Sequence, residues 1–202
     1  VTIFLLSAMV LMGFLLRYAG LYWGEGYRYF AIGDEINAYR VALEYLAGDE
    51  QADPTVHGGL SKAVYAYPSE HLAFWRTVRA QARVAGWDAE VPPGLVGENL
   101  TLQGLTERQL WIGDRLHLPD RDGQRAVLVV SEPRQPCFKF NAAMGFAQAA
   151  KMMAQSGFCG SYLAVLQPGW VQAGDAIELE PGPRELALPE LFRAKMHRNK
   201  VD

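Results

Sequence analysis

The chain has 202 residues, of which 50% are hydrophobic and 20% are charged, and its formal net charge is −3. This length suits one domain with a sizeable core, and the high apolar fraction excludes an intrinsically disordered protein. The mild acidity argues against a dedicated nucleic-acid binder, and the two cysteines are too few for a disulfide framework.

The segment from Val1 to Leu16 carries no charge, which is the most unusual feature of the sequence. A transmembrane helix needs about 20 apolar residues, and the segment reaches that length only by extending past Arg17. A secretory signal needs a basic start, which this segment lacks. The remaining interpretation is a buried strand or strand pair of a core, with Gly13 as a break.

The central part of the chain alternates between loops, a helix and short strands. The polar run from Gly48 to Gly59 predicts a loop. Ser69 is the predicted N-cap of a helix that ends near Gly86. The run Arg121-Asp-Gly123 predicts a hairpin turn, and Ala126 to Val130 predicts a buried strand.

The remaining elements complete a mainly β pattern. Ser131 to Lys139 predicts a proline-constrained loop, and Asn141 to Ser156 predicts a helix that ends at Gly157. Many short strands, turns about every ten residues and few helices favour a β-barrel or sandwich with peripheral helices. Two further strands and a short basic helix are predicted at Gly160 to Leu166, Ala176 to Leu179 and Pro189 to Lys200.

Cys137 is the leading candidate for chemistry. Arg134 and Lys139 lie within three residues of it. Cations near a thiol favour the thiolate, which is the form that binds metals and attacks electrophiles. The alternative is a small apolar filler, since free cysteine is commonly buried. Cys159 has no basic neighbour and is interpreted as structural, although a disulfide with Cys137 stays open.

A second candidate group surrounds His57. The pair Gly58-Gly59 permits a ligand to approach the backbone closely, and Lys62 follows. An imidazole and an ammonium beside a glycine turn could bind an anion or transfer protons, with local hydrogen bonding as the alternative. The Asn99 amide can donate and accept toward a heterocycle or an oxo group, with turn formation as the alternative.

Several motifs occur in a characteristic order: Gly48-Asp-Glu-Gln-Ala-Asp53, His57-Gly-Gly59, Tyr67-Pro68, Glu70-His71, Gly97-Glu-Asn-Leu100, Ser131-Glu-Pro-Arg-Gln-Pro-Cys137 and Gly174-Asp175. Together they resemble the MOSC family, the domain found at the C-terminus of molybdenum cofactor sulfurases. The resemblance covers about residues 45–180 and points to the stand-alone bacterial branch that includes hydroxylaminopurine reductase. We interpret residues 1–202 as a single MOSC domain in which residues 1–44 match poorly and residues 181–202 form a short tail.

The resemblance implies a mainly β, barrel-like fold with a few peripheral helices that binds the molybdenum cofactor, a molybdopterin. It implies that Cys137 supplies a thiolate to molybdenum and takes part in catalysis together with His57. The implied reaction is the two-electron reduction of an N-hydroxylated base or amidoxime. The residues implied in cofactor binding are Lys62, Asn99, Arg134, Lys139, Gly58 and Gly59.

The resemblance also sets expectations about partners. A small N-hydroxylated substrate and a separate electron-donor protein are expected, in the cytoplasm, without nucleic acid and without a membrane segment. The alternative is a non-catalytic carrier of the cofactor or of sulfur, with Cys137 as a persulfide acceptor. The sequence differs from the family pattern at one position of the cysteine loop. Glu132 replaces a glutamine that is common in the family, and it adds negative charge.

Overall fold

The computed structural model describes residues 3–6, 39–41, 60–86, 91 and 93–198. The strands in these ranges are β1 (Ile3–Leu6), β2 (Tyr39–Val41), β3 (Val64–Pro68), β4 (Leu100–Gln103), β5 (Arg115–His117), β6 (Val127–Pro133), β7 (Ser161–Gln167), β8 (Gly169–Val171) and β9 (Ala176–Glu180). The helices are α1 (Leu72–Gln81), α2 (Phe138–Met144), α3 (Ala149–Ser156) and α4 (Leu188–Arg198), and 3-10 turns span Leu60–Lys62, Ser69–His71 and Glu107–Gln109.

Seven of the strands form a closed barrel in the order β1-β4-β3-β7-β6-β5-β9. Neighbouring strands are antiparallel, except β3 and β4, which are parallel. The barrel closes because β1 pairs with β4 along one edge and with β9 along the other. Strands β2 and β8 form a separate two-stranded sheet. The prediction of a mainly β, barrel-like fold with a few peripheral helices is confirmed.

The charge-free N-terminal segment contributes β1 to this barrel. Its backbone is paired on both edges, with Phe4 opposite Gln103 in β4 and opposite Ala176 in β9. For residues 3–6 this agrees with the interpretation of the segment as a strand or strand pair; residues 7–16 lie outside the described residues. Among the residues that the structure describes, no helix is both long enough and apolar enough to cross a membrane.

Strand β3 separates two apolar clusters, and this explains why all five of its residues are buried. Because side chains alternate along a strand, Val64 and Ala66 join the cluster shared with the other barrel strands. Tyr65 and Tyr67 point the other way, into a cluster shared with the helices. Trp75 of α1 lies in this second cluster, fully buried. The helices therefore pack against one outer face of the barrel.

The prediction for the first helix was wrong at both ends. Ser69 opens a 3-10 turn, and α1 begins only at Leu72, so that His71 occupies the N-cap position without a side-chain cap. The helix ends at Gln81, earlier than predicted, and Arg83 has a positive φ of 55°. An L-residue in that conformation cannot continue a right-handed helix.

The predicted helix from Asn141 to Ser156 is in fact two helices. Gly145 adopts a φ of 80° and ends α2, which already begins at Phe138. The Asn141 side-chain oxygen then accepts the backbone N–H of Ala150 at 2.7 Å, which ties the start of α3 to α2. The predicted end at Gly157 is confirmed, since Gly157 lies in the left-handed conformation directly after α3.

The predicted turn and the remaining strands agree with the structure. Asp122 and Gly123 have positive φ values of 54° and 74°, as a two-residue hairpin turn requires. Strands β6, β7 and β9 and helix α4 lie where the sequence predicted them, with ends that differ by a few residues.

Candidate functional site

Cys137 lies where β6 passes into α2, at the rim of the barrel. It occupies the N-cap position of α2 in an extended conformation, and its side chain makes no capping hydrogen bond. The thiol is free and Cys137 is half-buried. Phe140, one turn further on, is fully buried and packs edge-to-face on Trp75, with ring centroids 5.2 Å apart. The cysteine is therefore accessible from solvent on an element anchored in the core.

Arg134 orders the loop that carries this cysteine. It is 3% exposed, and its guanidinium lies 4.8 Å from the centroid of the Tyr65 ring and 5.1 Å from that of Phe140. Its Nη1 also donates to the backbone carbonyl of Val96. Cys137 is close enough to contribute to the electrostatic environment of Arg134. The guanidinium stays protonated, so it places a fixed positive charge beneath the Cys137 loop.

Tyr162 connects the cysteine loop to Lys62. Burial raises the pKa of its phenol, Arg134 opposes this, and the negative charge of an ionised Cys137 raises it further. Tyr162 is therefore a neutral phenol at pH 7. The Lys62 ammonium lies 5.8 Å from the centroid of the Tyr162 ring, within cation–π range. The 3-10 turn of Lys62 is held in place by Ser131, whose hydroxyl contacts the Ser61 carbonyl.

Glu132 lies between two lysines. Its Oε1 is 3.5 Å from the Lys62 ammonium, and its Oε2 is bonded to the ammonium of Lys195 on α4. All three side chains are mostly removed from solvent, with exposures of 16–24%. The negative charge that Glu132 brings to the cysteine loop is therefore compensated by a lysine from α4.

Replacing Lys195 by methionine is expected to lower the free energy of unfolding by about 1 kcal/mol, because a largely buried Glu132 then has one partner instead of two. The loss of stability caused by K195M should nearly vanish in a chain that also carries E132Q. Urea denaturation of the wild type, K195M, E132Q and the double variant gives the coupling energy. If the changes in the free energy of unfolding caused by K195M and E132Q simply added, Lys195 would not compensate the charge of Glu132.

Asn99 joins the loop before β4 to strand β3. Its Oδ1 accepts the backbone N–H of Tyr65 at 2.7 Å, and its own backbone N–H donates to the Tyr65 carbonyl at 2.8 Å. The amide oxygen is thus used structurally, and the amide N–H₂ group makes no hydrogen bond to any described residue. The sequence left two roles open for Asn99, ligand recognition and turn formation. Its two hydrogen bonds to the Tyr65 backbone show that it serves at least the structural role.

The residue before it, Glu98, carries an unusual carboxyl group. It is 7% exposed, and its Oε1 accepts from the Gly94 backbone N–H at 2.7 Å and from the Thr101 hydroxyl at 3.1 Å. Its Oε2 is buried and has no hydrogen-bond partner in the described part of the chain. Burial raises the pKa of Glu98 to about 6, although these hydrogen bonds and Arg134 oppose the shift.

This shift predicts a specific dependence of stability on pH. Between pH 4.5 and 6 the folded state binds more protons at Glu98 than the unfolded state, so the free energy of unfolding falls as pH rises. The loss amounts to about 2 kcal/mol and is complete above pH 6. E98Q should remove this part of the slope, whereas E185Q, at an exposed glutamate, should leave it unchanged. Urea midpoints measured from pH 4 to 8 would contradict the assignment if E98Q and wild type ran parallel.

The other predicted site residues fall into two groups. His57, Gly58 and Gly59 lie outside the described residues, so their roles remain predictions. Lys139 lies in the first turn of α2 and is partly exposed, close in sequence to Cys137. The structure thus brings Lys62, Arg134 and Cys137 around Tyr162. Lys139 follows Cys137 by two residues on α2.

Cys159 is buried at 1% exposure, and burial raises the pKa of its thiol well above the ordinary value. Cys137 and Cys159 are both free thiols, so the disulfide that the sequence left open is absent. The structure assigns Cys159 to packing.

The sequence did not predict several residues that surround the Cys137 loop. Tyr65 and Tyr162 have the alternating pattern of ordinary strand residues, and Glu98 appeared only as a neighbour of Asn99. Lys195 is far from Glu132 in sequence, so a basic helix predicted near the C-terminus was the single available signal for it.

A family model for the MOSC domain matches residues 53–178. The chain belongs to the MOSC family. The matched residues lie inside the segment of about 45–180 that the motifs indicated. They include the whole Cys137 loop and the Tyr162 strand.

Individual relatives agree with this assignment. The uncharacterized protein YflK of Bacillus subtilis is 39% identical over 143 residues, which cover 71% of this chain and 59% of that protein. YiiM of Escherichia coli is 36% identical over 153 residues, covering 75% and 63% respectively. A protein named "Reductase" from Gibberella moniliformis is 35% identical over 143 residues, covering 67% of this chain and 22% of that protein.

Among solved structures, YiiM from Geobacillus stearothermophilus superimposes with a TM-score of 0.63 at 29% identity, over 80% of this chain and 70% of that one. The likeness covers most of the MOSC fold described above. The chain spans about three fifths of the length of YflK and YiiM, the bacterial relatives that it matches.

Proposed function

We propose that this MOSC protein binds the molybdenum cofactor through Cys137 and reduces N-hydroxylated bases or amidoxime-like compounds. The observation that carries the proposal is the half-buried, free Cys137 thiol on a loop that the buried Arg134 holds rigidly. Membership of the MOSC family and a reductase among the relatives support it.

The described residues fit such a cofactor. A thiolate is a soft donor of the kind that suits a metal whose other ligands come from sulfur, as in a molybdopterin. Lys62 and Lys139 are partly exposed cations near the cysteine loop, and they would bind the cofactor phosphate. Arg134 would act mainly by ordering the loop that presents the Cys137 thiol, through its contacts with Tyr65, Phe140 and the Val96 carbonyl.

The overall reaction balances as R–NHOH plus two electrons and two protons, giving R–NH₂ and water. The cofactor, when bound, supplies the two electrons. The protein has to supply protons, and His57 is the group that the sequence predicts for this task. We propose that a separate cytoplasmic protein delivers the electrons.

The direct test is to express the full chain in a host that makes the cofactor and to measure molybdenum per chain. Protein that carries molybdenum is then mixed with reduced viologen and 6-hydroxylaminopurine, and adenine is quantified. We expect molybdenum approaching one atom per chain and viologen oxidation that depends on the substrate. Protein without molybdenum would overturn the proposal.

A second candidate, a carrier of cofactor or sulfur, is favoured by the same accessible thiol. It predicts a loaded protein that reduces no substrate, or a Cys137 peptide heavier by one sulfur atom in mass spectrometry. Viologen oxidation with 6-hydroxylaminopurine distinguishes the reductase from this carrier.

A further inference from the structure

One cavity is lined by residues that lie outside the Cys137 loop. It has a volume of about 580 Å³ and opens between the 3-10 turn Glu107–Gln109, the end of α3 and the start of α4. Its lining includes His71, Glu107, Phe158 and Phe192. Neither Cys137 nor any of the proposed cofactor-binding residues that the structure describes lines it. The size lies in the range of small-molecule sites.

A buried histidine and a buried glutamate form one wall. His71 Nε2 lies 2.7 Å from Glu107 Oε2, and the other carboxyl oxygen of Glu107 accepts the backbone N–H of Gly160 at 2.7 Å. The His71 ring also stacks on Phe158 with a centroid distance of 3.8 Å and an angle of 10°. His71 and Glu107 are only 8% and 4% exposed. Glu107 at the ring edge and Phe158 on the ring face therefore hold the imidazole in one orientation.

This arrangement leaves one nitrogen of His71 for a ligand. The Glu107 carboxylate engages Nε2, so Nδ1 is the ring nitrogen left for a bound molecule. Nδ1 makes no hydrogen bond within the part of the chain that the structure describes. A buried histidine that lines a cavity, with a carboxylate partner and one unused nitrogen, is suited to form a hydrogen bond with a bound molecule.

The charges around the cavity favour an anion. Glu107 is engaged with His71 and Gly160, whereas Arg108 and Arg193 are exposed cations in the lining that pair with no described carboxylate. The Arg193 Nε donates to the Pro189 carbonyl of its own helix at 3.3 Å, and Pro189 also lines the cavity. Phe158 and Phe192 supply an apolar surface between these polar groups.

We propose that this cavity binds a small aromatic carboxylate that carries a hydroxyl group on its ring. The ring would lie on the Phe158 and Phe192 surface, the hydroxyl would form a hydrogen bond with His71 Nδ1, and the carboxylate would pair with Arg108 and Arg193. This site is separate from the proposed cofactor site, and it does not depend on the reductase proposal.

The probe is 4-hydroxybenzoate, titrated calorimetrically into the purified full chain. We expect saturable binding that weakens roughly tenfold for 4-hydroxybenzamide, which lacks the charge, and for benzoate, which lacks the ring hydroxyl. The double variant R108M/R193M should show a similar loss. These arginines are exposed, so the variant avoids the unfolding expected when His71 is replaced and Glu107 is left alone in the core.

R76M is the matched control, because Arg76 is an exposed arginine on α1 that does not line the cavity. It should bind 4-hydroxybenzoate like the wild type. Absence of saturable binding, or equal binding by R108M/R193M and wild type, would overturn the proposal. If R76M lost as much affinity for 4-hydroxybenzoate as R108M/R193M, the ligand would be responding to the net positive charge of the protein, and the proposal would be overturned.

Discussion

Changing Cys137 to serine is expected to reduce the molybdenum retained by the purified protein by at least roughly tenfold, with little change in stability. Serine is a hard, neutral donor and does not replace a soft thiolate at the metal. It is nevertheless a favourable N-cap residue, so α2 should be preserved or slightly stabilised. Molybdenum per chain is measured by mass spectrometry on protein from a cofactor-producing host, with urea denaturation to verify the fold.

C159S is the matched control for this experiment. It makes the same chemical change at the second cysteine, which is buried and whose Sγ contacts the Gly160 carbonyl oxygen at 3.3 Å. A serine hydroxyl can make the same hydrogen bond, so molybdenum should be retained. If C137S kept as much molybdenum as C159S, the thiolate would not be the ligand and the cofactor proposal would lose its main support.

A larger structural effect is expected for Gly160→Ala, which should destabilise the fold by at least about 3 kcal/mol. The backbone at Gly160 has a φ of +66°, and an added Cβ would lie 2.5 Å from the Ala66 carbonyl oxygen. It would also lie 2.8 Å from Tyr65 Cε2 and 2.9 Å from Tyr67 Cδ2. The β3 backbone and the two tyrosine rings cannot all move away from the added Cβ, since β3 is buried on both faces.

Gly157→Ala separates backbone strain from this collision. Gly157 also has a positive φ, +74°, but no atom lies within 4 Å of the position of an added Cβ. Its cost should be about 1 kcal/mol, which is the conformational penalty alone. Urea denaturation of both variants tests the difference. Similar losses for the two would mean that the packing around Gly160 relaxes easily.

The sequence predicted those parts of the fold that depend on local chemistry. The glycine that ends α3, the turn at Asp122 and Gly123, and the strands rich in β-branched residues were all visible in the residues themselves. The break at Gly145 was missed because a glycine inside a helical pattern costs only about 1 kcal/mol and does not by itself end a helix. The hydrogen bond from the Ala150 backbone N–H to the Asn141 side chain, which spans the break, is not visible in a local sequence pattern.

The candidate site was predictable as far as it lies in one loop. Cys137, Arg134 and Lys139 are close in sequence, so their association followed from the chain. The pairing of Glu132 with Lys195, and the stacking of Arg134 on Tyr65, join elements that are distant in sequence. Such contacts depend on strand register and helix packing, for which a single sequence contains no direct signal.

The closure of the barrel by β1 has a consequence for synthesis in the cell. This strand leaves the ribosome before its partners, which lie at residues 101–103 and 176–177. Closing such long loops is slow, and translation adds only a few residues per second, so the seam forms last. During that interval the apolar strand Ile3–Leu6 has no partner strand and is open to association with other chains. The composition that completes the barrel thus also makes the nascent chain prone to aggregation.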